Sequence, residues 1–170
     1  AILVTGTVGD HGMALLAARE GFKLATGLTS DVAPLWPLLA PVLASGGITA
    51  MKDPTRGGLA AALNEMARKA GVGIEIHEEA IPLCPEARAL SELLGISPLE
   101  VACEGRAVLA VASDRAEAVL SLLRDHPLGR DSQIIGEVIP SYPGRVILDT
   151  GIGGRRFLEM PLGDPVPRIC

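Results

Sequence analysis

Apolar positions along the chain fall into short blocks whose period switches between two and nearly four, with glycines punctuating them. Residues 2–5 read as a short buried strand, ended by Gly6 and a turn containing Gly9. The helix expected over 13–20 takes Asp10 or Thr7 as its cap and stops at Gly21. A second helix of about a dozen residues is expected from near Asp31, with Pro34 in its first turn. Pro37 and Pro41 should bend or break it before Ser45-Gly46-Gly47 ends it. Residues 48–51 read as a strand running into Asp53-Pro54-Thr55-Arg56-Gly57-Gly58. A strongly periodic helix over 59–70 follows and closes at Gly71.

Beyond it come a strand over 72–77, a helix over 86–94, a turn or short helical segment over 97–102, and a strand over 107–112. Asp114 and Glu117 have capping-box spacing for a helix over 115–125. Strand-like blocks occupy 133–139, 145–149 and 155–160. The alternation predicts an α/β (α+β) layered domain, and the central strand–helix–strand–helix–strand order resembles a split βαβ unit of ferredoxin-like type. One domain is expected over 1–160. A flexible tail is expected over 161–170, where three prolines in ten residues exclude regular structure. A chain that opens inside a strand reads as a piece of something longer.

Composition sharpens this picture. Aromatic residues make up only 2% of 170 residues, which leaves no stacking platform for single-stranded nucleic acid. A net charge of −5 also counts against a nucleic-acid partner. Charged residues or prolines interrupt every apolar run, so no membrane partner is expected. Cys84, Cys103 and Cys170 show no metal-binding spacing, and a soluble, cytoplasmic protein with free thiols is the expectation.

Three segments could carry chemistry. In the 53–58 turn, two glycines at a helix N-terminus would let backbone N–H groups approach an anion, with Arg56 forking onto a phosphate. Thr55 could cap the helix or offer its hydroxyl, and Asp53 suits a divalent cation. The same residues would serve equally as a capped helix entry with glycines for close packing. Gly9-Asp10-His11-Gly12 places an imidazole at a helix start, where a neutral acid/base role competes with a plain solvent-facing turn. Cys103-Glu104-Gly105-Arg106 precedes a buried strand. Partial burial there would lift Glu104 towards a useful base, while a turn glutamate paired with Arg106 is the plain alternative.

His77 reads as part of a solvated face, and His126 as a comfortable last-turn residue. Cys84 lies near a helix start that could lower its pKa, yet it and Cys103 read best as packed small hydrophobes. Cys170 differs, because a ten-residue extended tail could carry its thiol roughly 30 Å.

Taken together, the 9–12 loop, Met51-Lys52-Asp53-Pro54-Thr55-Arg56-Gly57-Gly58, Ala102-Cys103-Glu104-Gly105-Arg106 and the terminal Pro167-Arg168-Ile169-Cys170 resemble one family. It is the hydrogenase expression/formation HypE family, within the superfamily of aminoimidazole ribonucleotide synthetases, selenophosphate synthetases and thiamine monophosphate kinases. The resemblance runs from Gly6 to Cys170 and implies a three-layer α/β/α C-terminal domain. An N-terminal domain that forms the homodimer and supplies much of the ATP and magnesium site would be absent. A carbamoyltransferase, HypF, would load Cys170. ATP-dependent dehydration of the S-carbamoyl group would leave a thiocyanate, whose cyanide passes to iron on a HypC–HypD complex for [NiFe] hydrogenase.

By the same resemblance, Asp53 would help hold Mg2+-ATP, and Thr55, Arg56, Gly57 and Gly58 would face the phosphates. Glu104 or His11 would take protons from the carboxamide nitrogen. A non-catalytic carrier domain that presents the thiol, or another ATP-using member of the superfamily, are the alternative functions.

Overall fold

The structure, a computed structural model, describes residues 1–21 and 27–163. Seven strands form one sheet: β1 (Ile2–Val4), β2 (Ile48–Lys52), β3 (Gly73–His77), β4 (Val108–Val111), β5 (Gln133–Ile139), β6 (Val146–Asp149) and β7 (Arg155–Phe157). Their order is β2-β4-β1-β5-β3-β6-β7, antiparallel throughout except where β3 pairs with β6. Five helices accompany the sheet: α1 (Asp10–Arg19), α2 (Trp36–Ser45), α3 (Gly58–Ala70), α4 (Pro85–Leu94) and α5 (Ala116–Arg124). β4 and β5 both run antiparallel to β1, which lies between them, so β4–α5–β5 is the split βαβ unit.

Strand alternation sets the layers. Ile2, Val4, Val108 and Ala110 face α3 through Leu59, Leu63 and Ala67, whereas Leu3, Leu109 and Val111 face α2 and α5 through Leu38, Val42, Val119 and Leu123. A third apolar cluster joins α1 to α4 through Met13, Leu16, Ala87 and Leu90. The core is aliphatic, as the composition requires. Among the described residues, no helix is long and apolar enough to cross a membrane.

The element types match the sequence pattern, and four local expectations are corrected. α1 begins at Asp10 with left-handed Gly9, which has no side chain, in the N-cap position, and the Asp10 carboxylate engages the Thr7 hydroxyl and Arg106 instead of capping. α2 begins at Trp36 and not near Asp31, which is buried in a preceding loop. Pro37 sits in the first turn, where a missing N–H is harmless, and Pro41 lies inside α2 without ending it. The Asp114–Glu117 capping box does not form. A 3-10 turn over Ser113–Arg115 leads into α5 instead, with Arg115 N–H donating to the Ala112 carbonyl at 2.9 Å.

Candidate functional site

The three motif-bearing loops meet around the irregular segment 98–106. Gly12 N–H donates to the Ala102 carbonyl at 2.9 Å, and Gly9 N–H to Cys103 Sγ at 3.2 Å. Cys103 N–H donates to the Pro54 carbonyl at 3.0 Å, and Ala60 N–H to the Leu99 carbonyl at 2.8 Å. Segments 9–12, 53–58 and 101–106, far apart in sequence, are therefore held in one cluster by backbone bonds.

In the 53–58 turn, Gly57 and Gly58 adopt φ of 70° and 59°, a region costly for residues with a β-carbon. A β-carbon on Gly58 would lie 2.5 Å from the Val101 carbonyl oxygen and 2.7 Å from that of Leu99. Gly58 N–H already donates to the Thr55 carbonyl at 2.9 Å. Close packing is thus one reason for these glycines whatever ligand they meet. Gly57 occupies the α3 N-cap without a side-chain cap, so Thr55 does not cap the helix. Thr55 is half-buried, whereas Asp53 and Arg56 are exposed on the same turn. One carboxylate and one guanidinium beside a helix N-terminus fit part of a magnesium–triphosphate site, since Mg2+ keeps water and phosphate oxygens among its ligands.

Behind the Glu104 loop lies a nearly dry charge cluster. Arg106, with a side chain only 14% exposed, stands 3.6 Å from Asp10 Oδ2 and 3.8 Å from Asp31 Oδ2. Its Nε donates to the Thr7 carbonyl at 2.9 Å and its Nη2 to Thr7 Oγ1 at 3.1 Å. Burial pushes the Asp31 carboxyl above its ordinary range, opposed by the Glu104 N–H bond and by Arg106. Asp10 Oδ1 and Asp31 Oδ2 are buried with no hydrogen-bond partner among the described residues.

Glu104 is exposed, which corrects the expectation of partial burial, and Arg106 pairs with Asp10 and Asp31 instead of with it. His11, in the first turn of α1, has Nδ1 2.8 Å from Ser30 Oγ. Cys84 caps α4 by accepting the Ala87 N–H at 3.3 Å. Its pKa is raised to about 11 by burial, the reverse of the expected lowering, because desolvation exceeds the help of that N–H. Cys103 is fully buried and raised to about 12, chiefly by burial. It packs in the core as expected. His77, exposed at the end of β3, stands 3.7 Å from Asp149. His126 follows α5, and its Nδ1 accepts the Leu128 N–H. Cys170 and the tail from 164 onward lie outside the described residues.

Sequence reasoning did not find Asp31 or Ser30. The available signal was Arg106, a guanidinium next to a buried strand that requires a buried counter-charge from elsewhere.

Residues 1–149 match the family model described as AIR synthase related protein, C-terminal domain. A Methanocaldococcus jannaschii protein named for hydrogenase expression/formation is 51% identical over 100% of this chain and 50% of its own length. A carbamoyl dehydratase HypE of Rhizobium leguminosarum is 45% identical over 100% of this chain and 49% of its own length. The chain thus spans about half the length of the curated relatives it matches. Among solved structures, hydrogenase maturation protein HypE superposes with TM-score 0.95 at 38% identity, over 100% of this chain and 55% of that one. HypE in complex with ATP gives 0.94 at 37%, over 100% and 52%. A HypE–HypF complex gives 0.90 at 41%, over 94% and 52%.

Proposed function

The chain belongs to the AIR synthase related proteins, whose C-terminal domain it contains, and on that premise we propose that it is the C-terminal half of an ATP-dependent carbamoyl dehydratase acting in [NiFe] hydrogenase maturation. The observation that carries this reading is the meeting of the 9–12, 53–58 and 101–106 loops, together with 45% identity along the whole chain to a protein named carbamoyl dehydratase HypE. In this reading the domain spans 1–160, and the tail over 161–170 brings the Cys170 thiol, loaded as an S-carbamoyl group, to the loop cluster.

ATP, with Mg2+, supplies the phosphoryl group that turns the carboxamide oxygen into a leaving group. Asp53 helps hold the metal. Thr55, Arg56 and the 57–58 backbone orient the phosphates, with Arg56 well placed because it is exposed on the turn. Glu104 accepts protons from the carboxamide nitrogen as the C–O bond breaks, and His11 orients the group or shares that role. Atoms balance: the oxygen departs as phosphate, both nitrogen protons leave, and a thiocyanate remains on Cys170. Its cyano group would pass to iron on a HypC–HypD complex.

A structure of HypE with HypF supports the carbamoyltransferase as loading partner. A full-length homodimer through the N-terminal domain and a cytoplasmic location complete the proposal. This half offers one carboxylate at the phosphate turn, so weak nucleotide binding is expected of it alone.

The test is mass spectrometry of the C-terminal peptide in the full-length protein supplied with partner, carbamoyl donor and ATP. Gain of one carbamoyl group followed by loss of one water is expected, with neither seen in Cys170→Ala. An adduct that never loses water overturns the dehydratase reading.

A further inference from the structure

The loop around 30–31 touches both acid/base candidates at once. Asp31 Oδ1 accepts the Glu104 backbone N–H at 2.9 Å, so a side chain fixes the main chain that carries the carboxylate. The next residue is fixed by shape: a β-carbon on Gly105 would lie 1.8 Å from the Asp31 carbonyl oxygen and 2.9 Å from Ala33 N. Ser30 Oγ stands 2.8 Å from His11 Nδ1 and accepts the Val32 N–H at 3.2 Å, which holds the serine in the orientation the imidazole meets. The Asp31 side chain itself is 1% exposed and is steadied by Arg106, whose other contacts run to Thr7 and Asp10. Burial of Asp31 carries an energetic cost, offset by Arg106 on one carboxylate oxygen and by the Glu104 N–H on the other.

We propose that Asp31 is a positioning residue for dehydration, fixing the main chain that carries Glu104. This rests on the dehydratase reading above. Glu104 is exposed and makes no side-chain ion pair among the described residues, so its place relative to a docked carboxamide depends on its main chain. Displacing a reacting group by about 1 Å costs on the order of a hundredfold in rate.

The experiment uses the full-length protein carrying a carbamoylated terminal cysteine, with ATP-driven loss of water followed by mass spectrometry. Asp31→Ala is expected to lower kcat by at least about tenfold, with KM for ATP within about twofold of wild type. Asp31→Asn retains an oxygen acceptor for the Glu104 N–H and is expected to keep kcat within about threefold. Thermal midpoints establish that each variant is folded. Equal turnover of folded Asp31→Ala and wild type overturns the proposal. So does a loss of tenfold or more in folded Asp31→Asn, an outcome that decides the matter even if Asp31→Ala does not fold. Failure of the wild type to lose water rejects the dehydratase reading instead, which keeps the two failures distinct.

Discussion

Pro161 lies against Gly57, its ring carbons 3.7 and 3.9 Å from the point that a β-carbon on Gly57 would occupy. The described chain thus passes the phosphate-turn candidate just where the proline-rich segment begins. A β-carbon there would also lie 2.7 Å from Ala61 Cβ, at a φ of 70°. Gly57→Ala is therefore expected to destabilise the domain by about 1–3 kcal/mol in urea unfolding. Arg56→Ala, at an exposed position, should leave stability within about 0.5 kcal/mol while weakening ATP binding in the full-length protein. A destabilised Arg56→Ala, or unchanged ATP affinity, would remove Arg56 from the phosphate role.

Arg106 is the counter-charge for two buried carboxylates. Arg106→Ala strands both in an apolar setting and is expected to cost about 3–5 kcal/mol. The same guanidinium donates to the Thr7 carbonyl, so the start of α1 should loosen with it. Hydrogen exchange at residues 7–12 would report that loosening; unchanged protection there would limit Arg106 to a charge-pairing role.

The raised Asp31 carboxyl fixes the sign of a pH effect. The native state binds the Asp31 proton more tightly than the unfolded chain, whose value is about 3.8. This contribution to stability is complete at low pH. It is lost as pH rises from about 3.8 through the higher folded value. Asp31→Asn imitates the protonated form at every pH. Its stability relative to wild type should grow as pH rises across that window, measured by urea unfolding at matched ionic strength. A difference that stays constant with pH would show that Asp31 does not titrate as described.

Two cysteines are poor nucleophiles in the fold. With pKa values raised to about 11 and about 12, Cys84 and Cys103 hold little thiolate near neutrality, and Cys103 is buried as well. Brief alkylation of the native chain at pH 7.5, read by peptide mass spectrometry, should leave both unmodified, and denaturant should release both. Rapid native labelling at Cys103 would contradict its burial.

The legible parts of the sequence were those that one segment decides. The strand at 133–139, helix α3 with its closing Gly71, and the motif loops all follow from local period or turn chemistry. Features that need two distant segments were not legible. Asp31 reads locally as a first-turn helix acid, and only the fold shows it reaching Glu104 N–H across 73 residues. Asp114 and Glu117 have capping spacing, yet an Ala112 carbonyl bond closes the turn first. Glu104 stands just before a buried strand, which suggests partial burial, whereas the fold leaves it exposed.

Asn64 links the core to the segment that leads towards Pro161. Its Nδ2 donates to the Ala60 carbonyl within α3 at 2.9 Å and to the Leu158 carbonyl at 2.8 Å, in a site where Asn64 and Leu158 are each 2% exposed. Asn64→Ala removes the donor and leaves the Leu158 carbonyl buried without it, at an expected cost of about 1–3 kcal/mol. Leu158 is only three residues before Pro161, so looser anchoring should also shift Pro161 against Gly57. In the full-length protein, at a temperature where both forms are fully folded, Asn64→Ala is therefore expected to slow water loss from the carbamoylated cysteine. KM for ATP should stay unchanged, because Asn64 faces the interior and not the 53–58 turn. A stability loss with unaltered turnover would make Asn64 a purely structural clamp and separate tail anchoring from the chemistry.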